Sequence, residues 1–158
     1  MNAIIASTES YVDRNHRLRR LLQEGLIADS EWRLILLLVT NLPNVLTGTP
    51  YVYDVGWNDG RFDLLLTDGL GTWCAVELKQ MTAIRGSSSA RRNRRRKRNE
   101  KWHLLIAQMN RAYRAAADRC PEGRVQAYAL LHDEGVWTVA DSIGADDRGP
   151  AEVAPNLP

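Results

Sequence analysis

The sequence lacks a long apolar run. Its longest, 34–39, has six residues, far short of the ~18 needed to cross a bilayer, so no membrane partner is expected. The start of the chain has neither the basic opening nor the extended apolar segment of a secretory signal. Cysteine is scarce: Cys74 and Cys120 are the only two, too few for a disulfide framework. An intracellular, reducing setting is the expectation. Two cysteines and three histidines, with no C-x-x-C spacing among them, leave no basis for a zinc site. No internal repeat is evident.

What is present suits one ordinary soluble domain. The 158 residues can bury a real core, and 44% hydrophobic with 25% charged residues is globular composition. The net charge of +2 hides an asymmetry. Between Arg85 and Lys101 stand nine basic residues and one acid, a local balance of +8 that leaves the rest of the chain at −6. Such a concentration speaks of a partner more than of a fold.

Two short apolar runs, 62–66 and 72–78, flank Asp68-Gly69-Leu70-Gly71, a turn composition that predicts a β-hairpin. Asp63 lies near the start of the first strand. Glu77 and Lys79 lie at the end of the second, two apart and therefore on one face. Two carboxylates and an ammonium on apolar strands need compensation, from one another or from a bound cation; carboxylates are what Mg²⁺ takes from a protein. The competing aspartates have simpler explanations. Asp59 and Asp68 sit in turns, where aspartate bonds its own backbone, and Asp54 is one strand removed.

Asp63 followed by Glu77-Leu78-Lys79 resembles the D…(D/E)-x-K signature of the PD-(D/E)xK nuclease superfamily, the fold of restriction endonucleases and junction resolvases. Gly60-Arg61-Phe62-Asp63 and Ala75-Val76-Glu77-Leu78-Lys79 are similar to its usual wording, with Phe62 where a proline often stands. The resemblance implies an α/β fold with a restriction-endonuclease-like αβββαβ core, a mixed central sheet flanked by helices. It also implies a metal-dependent nuclease: Asp63, Glu77 and the backbone carbonyl of Leu78 as ligands to Mg²⁺ or Mn²⁺, and Lys79 orienting a water or stabilising developing charge. The substrate would be nucleic acid, DNA in preference to RNA, cut endonucleolytically. Relatives in that superfamily often act as homodimers, although no residue here marks a dimer face.

Around the hairpin the chain divides readily. Residues 1–12 read as a loose terminus, 13–140 as a single domain and 141–158 as a flexible tail. Leu18, Leu21, Leu22 and Leu26 recur at helical spacing, with Arg14, Arg17, Arg19 and Arg20 read as a solvated face in preference to a second nucleic-acid surface. Asp29-Ser30 offers a cap to a helix that is apolar nearly all round and stops before Pro43. Glu31, its only acid, complements the helix dipole or, as the resemblance implies, adds a carboxylate to the metal site. Residues 49–57 read as a strand running into an Asn58-Asp59-Gly60 turn. Residues 101–119 read as a long helix with Trp102, Leu105, Ile106, Met109, Tyr113 and Ala116 on one face, and two strands, 124–131 and 136–140, follow.

The basic run remains. Gly86 and Ser87-Ser88-Ser89 loosen its start, and the like charges of Arg91, Arg92, Arg94, Arg95, Arg96, Lys97 and Arg98 repel, so the segment 85–101 reads as a frayed loop. It is read as a phosphate-binding surface, with Arg85 included, because it leaves the sheet directly after Lys79. A nuclear-localisation signal, which would place the chain in the nucleus, and a solubilising insertion compete with that reading. Some superfamily branches carry a Gln and, four residues on, a Tyr near the site; Gln108 and Tyr113 are five apart, so Gln108 is kept only as a supporting residue, beside the commoner case of an exposed glutamine. The alternative function is a catalytically inactive nucleic-acid-binding protein on a nuclease-like fold, and a small interaction module is a third.

Overall fold

The computed structural model describes residues 9–26, 31–56, 62–81 and 87–144. Expectations that fall on the first eight residues, the Asp29-Ser30 cap, the Asn58-Asp59-Gly60 turn, Arg85 and Gly86, and the tail beyond Gly144 lie outside them.

Helix α1, Tyr11–Gln23, starts where Ser10 accepts a hydrogen bond from the Asp13 N–H, a cap that satisfies one of the orphan donors of a first turn. Helix α2, Trp32–Thr40, buries Leu34, Ile35, Leu38 and Val39. Pro43 ends it and opens a single turn, α3, Leu42–Val45, which the sequence reading left unassigned; a proline that cannot continue one helix is well placed in the first turn of the next. Strand β1, Tyr51–Val55, then leads through β2, Leu64–Thr67, and β3, Thr72–Gln80, to the long helix α4, Ser88–Arg119, and to β4, Arg124–Asp133, and β5, Val136–Ile143.

The five strands form one sheet in the order β1-β2-β3-β4-β5. The pair β3 and β4 is parallel and the other pairs are antiparallel, so the sheet is mixed and α4 is the crossover that a parallel pair requires. The β2–β3 turn forms as its composition dictates: Asp68 Oδ1 accepts from the N–H groups of Leu70 and Thr72 at 2.7 and 2.9 Å. Gly69 takes φ +75°, and a Cβ there would stand 2.6 Å from the Tyr11 ring, so both backbone and neighbour require glycine.

Alternation along the strands splits the core in two. Leu64, Leu66, Cys74, Val76, Leu78, Tyr128 and Leu130 face α1, α2 and α3. Leu65, Ala75, Ala127, Ala129 and Leu131 face Leu105, Met109, Ala112 and Ala116 of α4. Alanine on both surfaces lets the helix approach the sheet closely.

Two expectations are corrected by these contacts. Arg17 and Arg20 of α1 are exposed, but Arg14 and Arg19 are not part of a solvated face: Arg14 donates to the Tyr53 carbonyl, and Arg19 donates to Asn15, to the Val39 carbonyl at 3.0 Å and to the Pro50 carbonyl at 3.1 Å. Buried Asn15 accepts from the Val52 N–H at 2.9 Å. Together they cover the unpaired edge of β1, which would otherwise present open backbone groups. The segment 88–101 is not a frayed loop but the first half of α4. Ser87 caps it, accepting from the Ala90 N–H at 3.3 Å; arginine and lysine are good helix formers, and extending a helix already nucleated by a packed half avoids the cost of a new nucleus. Strand β5 also continues to Ile143, because 141–143 pair with 127–129 of β4.

Candidate active site

The site is built at the start of β2 and the end of β3. In the β2–β3 register Leu64 pairs with Val76, so one step outward Asp63 and Glu77 stand across from each other. The chain is brought to Asp63 by a close backbone approach: the Gly56 N–H donates to the Asp63 carbonyl at 3.3 Å, and a Cβ on Gly56 would lie 1.5 Å from the Phe62 carbonyl oxygen. No other residue fits there.

Asp63 Oδ2 accepts from the Leu78 N–H at 2.8 Å. Within a strand the N–H and C=O of one residue point to the same edge, so the Leu78 carbonyl is directed toward the Asp63 side as well. Glu77 is buried, 7% exposed. Its carboxyl is held well above the ordinary carboxylate range, first by burial, then by the charge of Asp63 and a hydrogen bond shared with it, and further by the charge of Glu31, with Lys79 opposing. Lys79 Nζ donates to Glu31 Oε1 at 3.0 Å, and both side chains are about a quarter exposed at 25% and 28%. Glu31, the residue before the first turn of α2, makes no capping hydrogen bond with its side chain. It is drawn to Lys79 instead, across 48 positions of sequence.

The structure therefore brings Asp63, Glu77, Lys79 and Glu31 together. It sets Asp54 aside: that carboxylate meets Arg119 at 2.7 Å and accepts from the Val55 N–H. Gln108 is half-buried on α4 and, among the described residues, forms no hydrogen bond to the acids. Gln80 was missed by the sequence reading. Its amide donates to the carbonyls of Met81 and His132 at 3.2 and 3.1 Å and its oxygen meets His132 Nδ1 at 2.8 Å, tying together the ends of β3 and β4 just beyond Lys79. A lone glutamine after Lys79 gave no local signal of this.

A small divalent cation between the Asp63 and Glu77 carboxylates would relieve the repulsion that helps to raise the Glu77 carboxyl. Among the described residues no group of three or more His, Cys, Asp or Glu side chains is arranged to hold a metal. Mg²⁺ characteristically takes one or two carboxylates and completes its shell with water and substrate phosphate.

Beyond the acids stands the basic half of α4. Leu105 is the first residue of the helix to be fully buried, and before it only Trp102 packs against the sheet-side core and Arg98 reaches the end of β4. Arg98 is paired with Asp133, the last residue of β4. Because Gln80 pairs with His132 in the parallel register, Asp133 lies one strand over and a few residues along from Glu77, on the order of 14 Å away by strand geometry. Arg94, Lys97, Arg98 and Lys101 line a groove of ≈ 390 Å³. The chain matches no protein-family model, no curated protein and no solved structure.

Proposed function

We propose that the protein is a metal-dependent nuclease that hydrolyses phosphodiester bonds in nucleic acid, DNA in preference to RNA, on a restriction-endonuclease-like core formed by α2, β1, β2, β3, α4 and β4. One observation carries the reading: Asp63, Glu77 and Lys79 meet at the end of the central strand from which the arginine-rich half of α4 departs.

Asp63, Glu77 and the Leu78 carbonyl would hold Mg²⁺ or Mn²⁺, while Glu31 is engaged by Lys79 and is not grouped with the two acids as a third ligand among the described residues. The bound cation would supply Lewis-acid polarisation of the phosphate and a water of lowered pKa. Asp63 is oriented for this by the Leu78 N–H, which fixes one of its oxygens. Glu77 holds a proton more readily than an ordinary carboxyl and must release it to act as a ligand. Lys79 would turn from Glu31 toward the phosphate and stabilise charge as it develops on the oxygens. Cations of the basic half of α4 would hold the backbone by charge-assisted contacts, each neutralised phosphate releasing counterions.

The test is cleavage of labelled single-stranded, double-stranded and branched DNA and of RNA, with Mg²⁺, Mn²⁺ or EDTA. The expected result is metal-dependent cutting that falls at least ~100-fold in Asp63→Ala and in Lys79→Ala. Cutting that survives both substitutions, or that proceeds in EDTA, would sink the proposal. The lack of a third metal-capable side chain beside Asp63 and Glu77 among the described residues favours one other reading, an inactive nucleic-acid-binding protein. That reading holds if no substrate is cut while salt-sensitive binding persists.

A further inference from the structure

The basic run is uniform in sequence but not in direction. At ~100° per residue, the stripe that α4 lays on the sheet is Leu105, Met109, Ala112 and Ala116, all fully buried. Followed back at spacings of three and four, the same stripe continues through Lys101, Arg98, Arg94 and Arg91. Burial traces it too: between 91 and 101 only Arg98 and Lys101 are half-buried, and the rest are exposed. Arg92 and Arg96 point the other way, beside Ser89, Asn93 and Glu100; Arg96 lies 4.0 Å from Glu100. The face that is apolar where there is a sheet beneath it is thus cationic where the sheet has ended.

We propose that the sheet-facing stripe, Arg91, Arg94, Arg98 and Lys101, is the surface that holds a nucleic-acid backbone, and that Arg92 and Arg96 take no direct part. The proposal rests on the nucleic-acid half of the function given above. The underside of α4 and the C-terminal end of β4, where Arg98 meets Asp133, form a corner that carries the basic groove, on the order of 14 Å from Glu77 by strand geometry. Among the described residues the groove is lined by four cations, one of which, Arg98, is paired with Asp133, so the lining stays net positive and a polyanion would complement it. Positions 82–101 contain no aromatic residue, which removes the usual platform for stacking unpaired bases and leaves phosphate contact as the means of holding. An α-helix with its side chains is ~10–12 Å across, more than the ~8 Å over which physiological salt lets charge act. Charges on the far side are therefore screened from a backbone in the corner.

The test compares two charge-matched variants of the full chain, Arg94→Gln/Lys101→Gln and Arg92→Gln/Arg96→Gln. Glutamine keeps helix propensity close to that of arginine and lysine, and far-ultraviolet circular dichroism checks that both helices are intact. Binding is read by anisotropy in EDTA, where metal-dependent cutting is off, on DNA of about 20 nucleotides, single-stranded and duplex, across salt concentration. The Arg94/Lys101 variant is expected to lose at least ~10-fold in affinity at physiological salt. Its salt slope should flatten by about 1.8 on duplex or about 1.4 on single strands. The Arg92/Arg96 variant is expected to stay within ~2-fold of the parent. Equal losses in the two variants would overturn the assignment of faces while leaving nucleic-acid binding intact. A parent that binds neither DNA would overturn the binding half of the function as well, and polyglutamate competing as well as DNA would replace the backbone with an acidic protein partner.

Discussion

The two halves of α4 share one helix and one face, yet they do different things with it. In 102–119 the face is Leu105, Met109, Ala112 and Ala116, buried against Ala75, Ala127, Ala129 and Leu131. In 88–101 it is arginine and lysine over the end of the sheet. The first half-face is stabilised by apolar area removed from water; the second, among the described residues, contributes no fully buried side chain, and Arg98 meets Asp133 there. Packing is thus concentrated in one half of a single element, and damage to the basic half should leave that packing largely untouched.

The largest effect that could break this separation comes from proline. Asn93 and Asn110 are both exposed residues of α4, so local rules treat them alike. Asn110→Pro interrupts the packed half and is expected to cost ~3 kcal/mol or more of global stability in urea denaturation. Asn93→Pro should cost less than ~1 kcal/mol globally while lowering helix content and weakening DNA binding, since the chain can begin its helix later. Similar global losses for both would show that the overhanging half contributes to the fold after all.

A smaller effect separates the site from the core. The Glu77 carboxyl is raised by burial and by Asp63, so between its ordinary value and the raised one the folded state keeps a proton that the unfolded chain has lost. Stability of the metal-free protein is therefore highest below that window and falls as pH rises through it. Glu77→Gln should remove the fall and raise stability at mildly alkaline pH by about 1–3 kcal/mol. Thermal melts in EDTA across pH would read this; a variant that melts with the same pH profile as the parent would show that Glu77 is not strained by its neighbours.

Smallest of all is the cap. Ser87→Ala removes the acceptor for the Ala90 N–H and should destabilise the first turn of α4 by about 0.5–1 kcal/mol. Hydrogen exchange at 90–92 would quicken by a few-fold while that at 105–116 stays unchanged. Equal quickening in both segments would mean that the halves of the helix open together.

Much of this arrangement was legible in the chain. The order of helices and strands from 32 to 140, the Asp68-Gly69-Leu70-Gly71 turn and the placing of Asp63, Glu77 and Lys79 on one hairpin follow from periods of two and of three to four residues, which are local properties. The helix at 88–101 was not legible, because like-charge repulsion and serine content spoke for a loop, and what overrode them was attachment to a half-helix anchored on the sheet. The role of Arg14 and Arg19 was hidden for a similar reason: the edge they cover, at 50–53, is distant in sequence.

By itself, then, the sequence determined most of the elements, the turn and the presence of two acids and a lysine near one strand end, since each depends only on residues within a few positions. Tertiary structure decided which acids count. Arg119 takes Asp54 away, Lys79 draws Glu31 in, and the Leu78 N–H fixes Asp63. It also decided which arginines face the site, because the direction of a side chain on an overhanging helix is set by how the rest of that helix is packed.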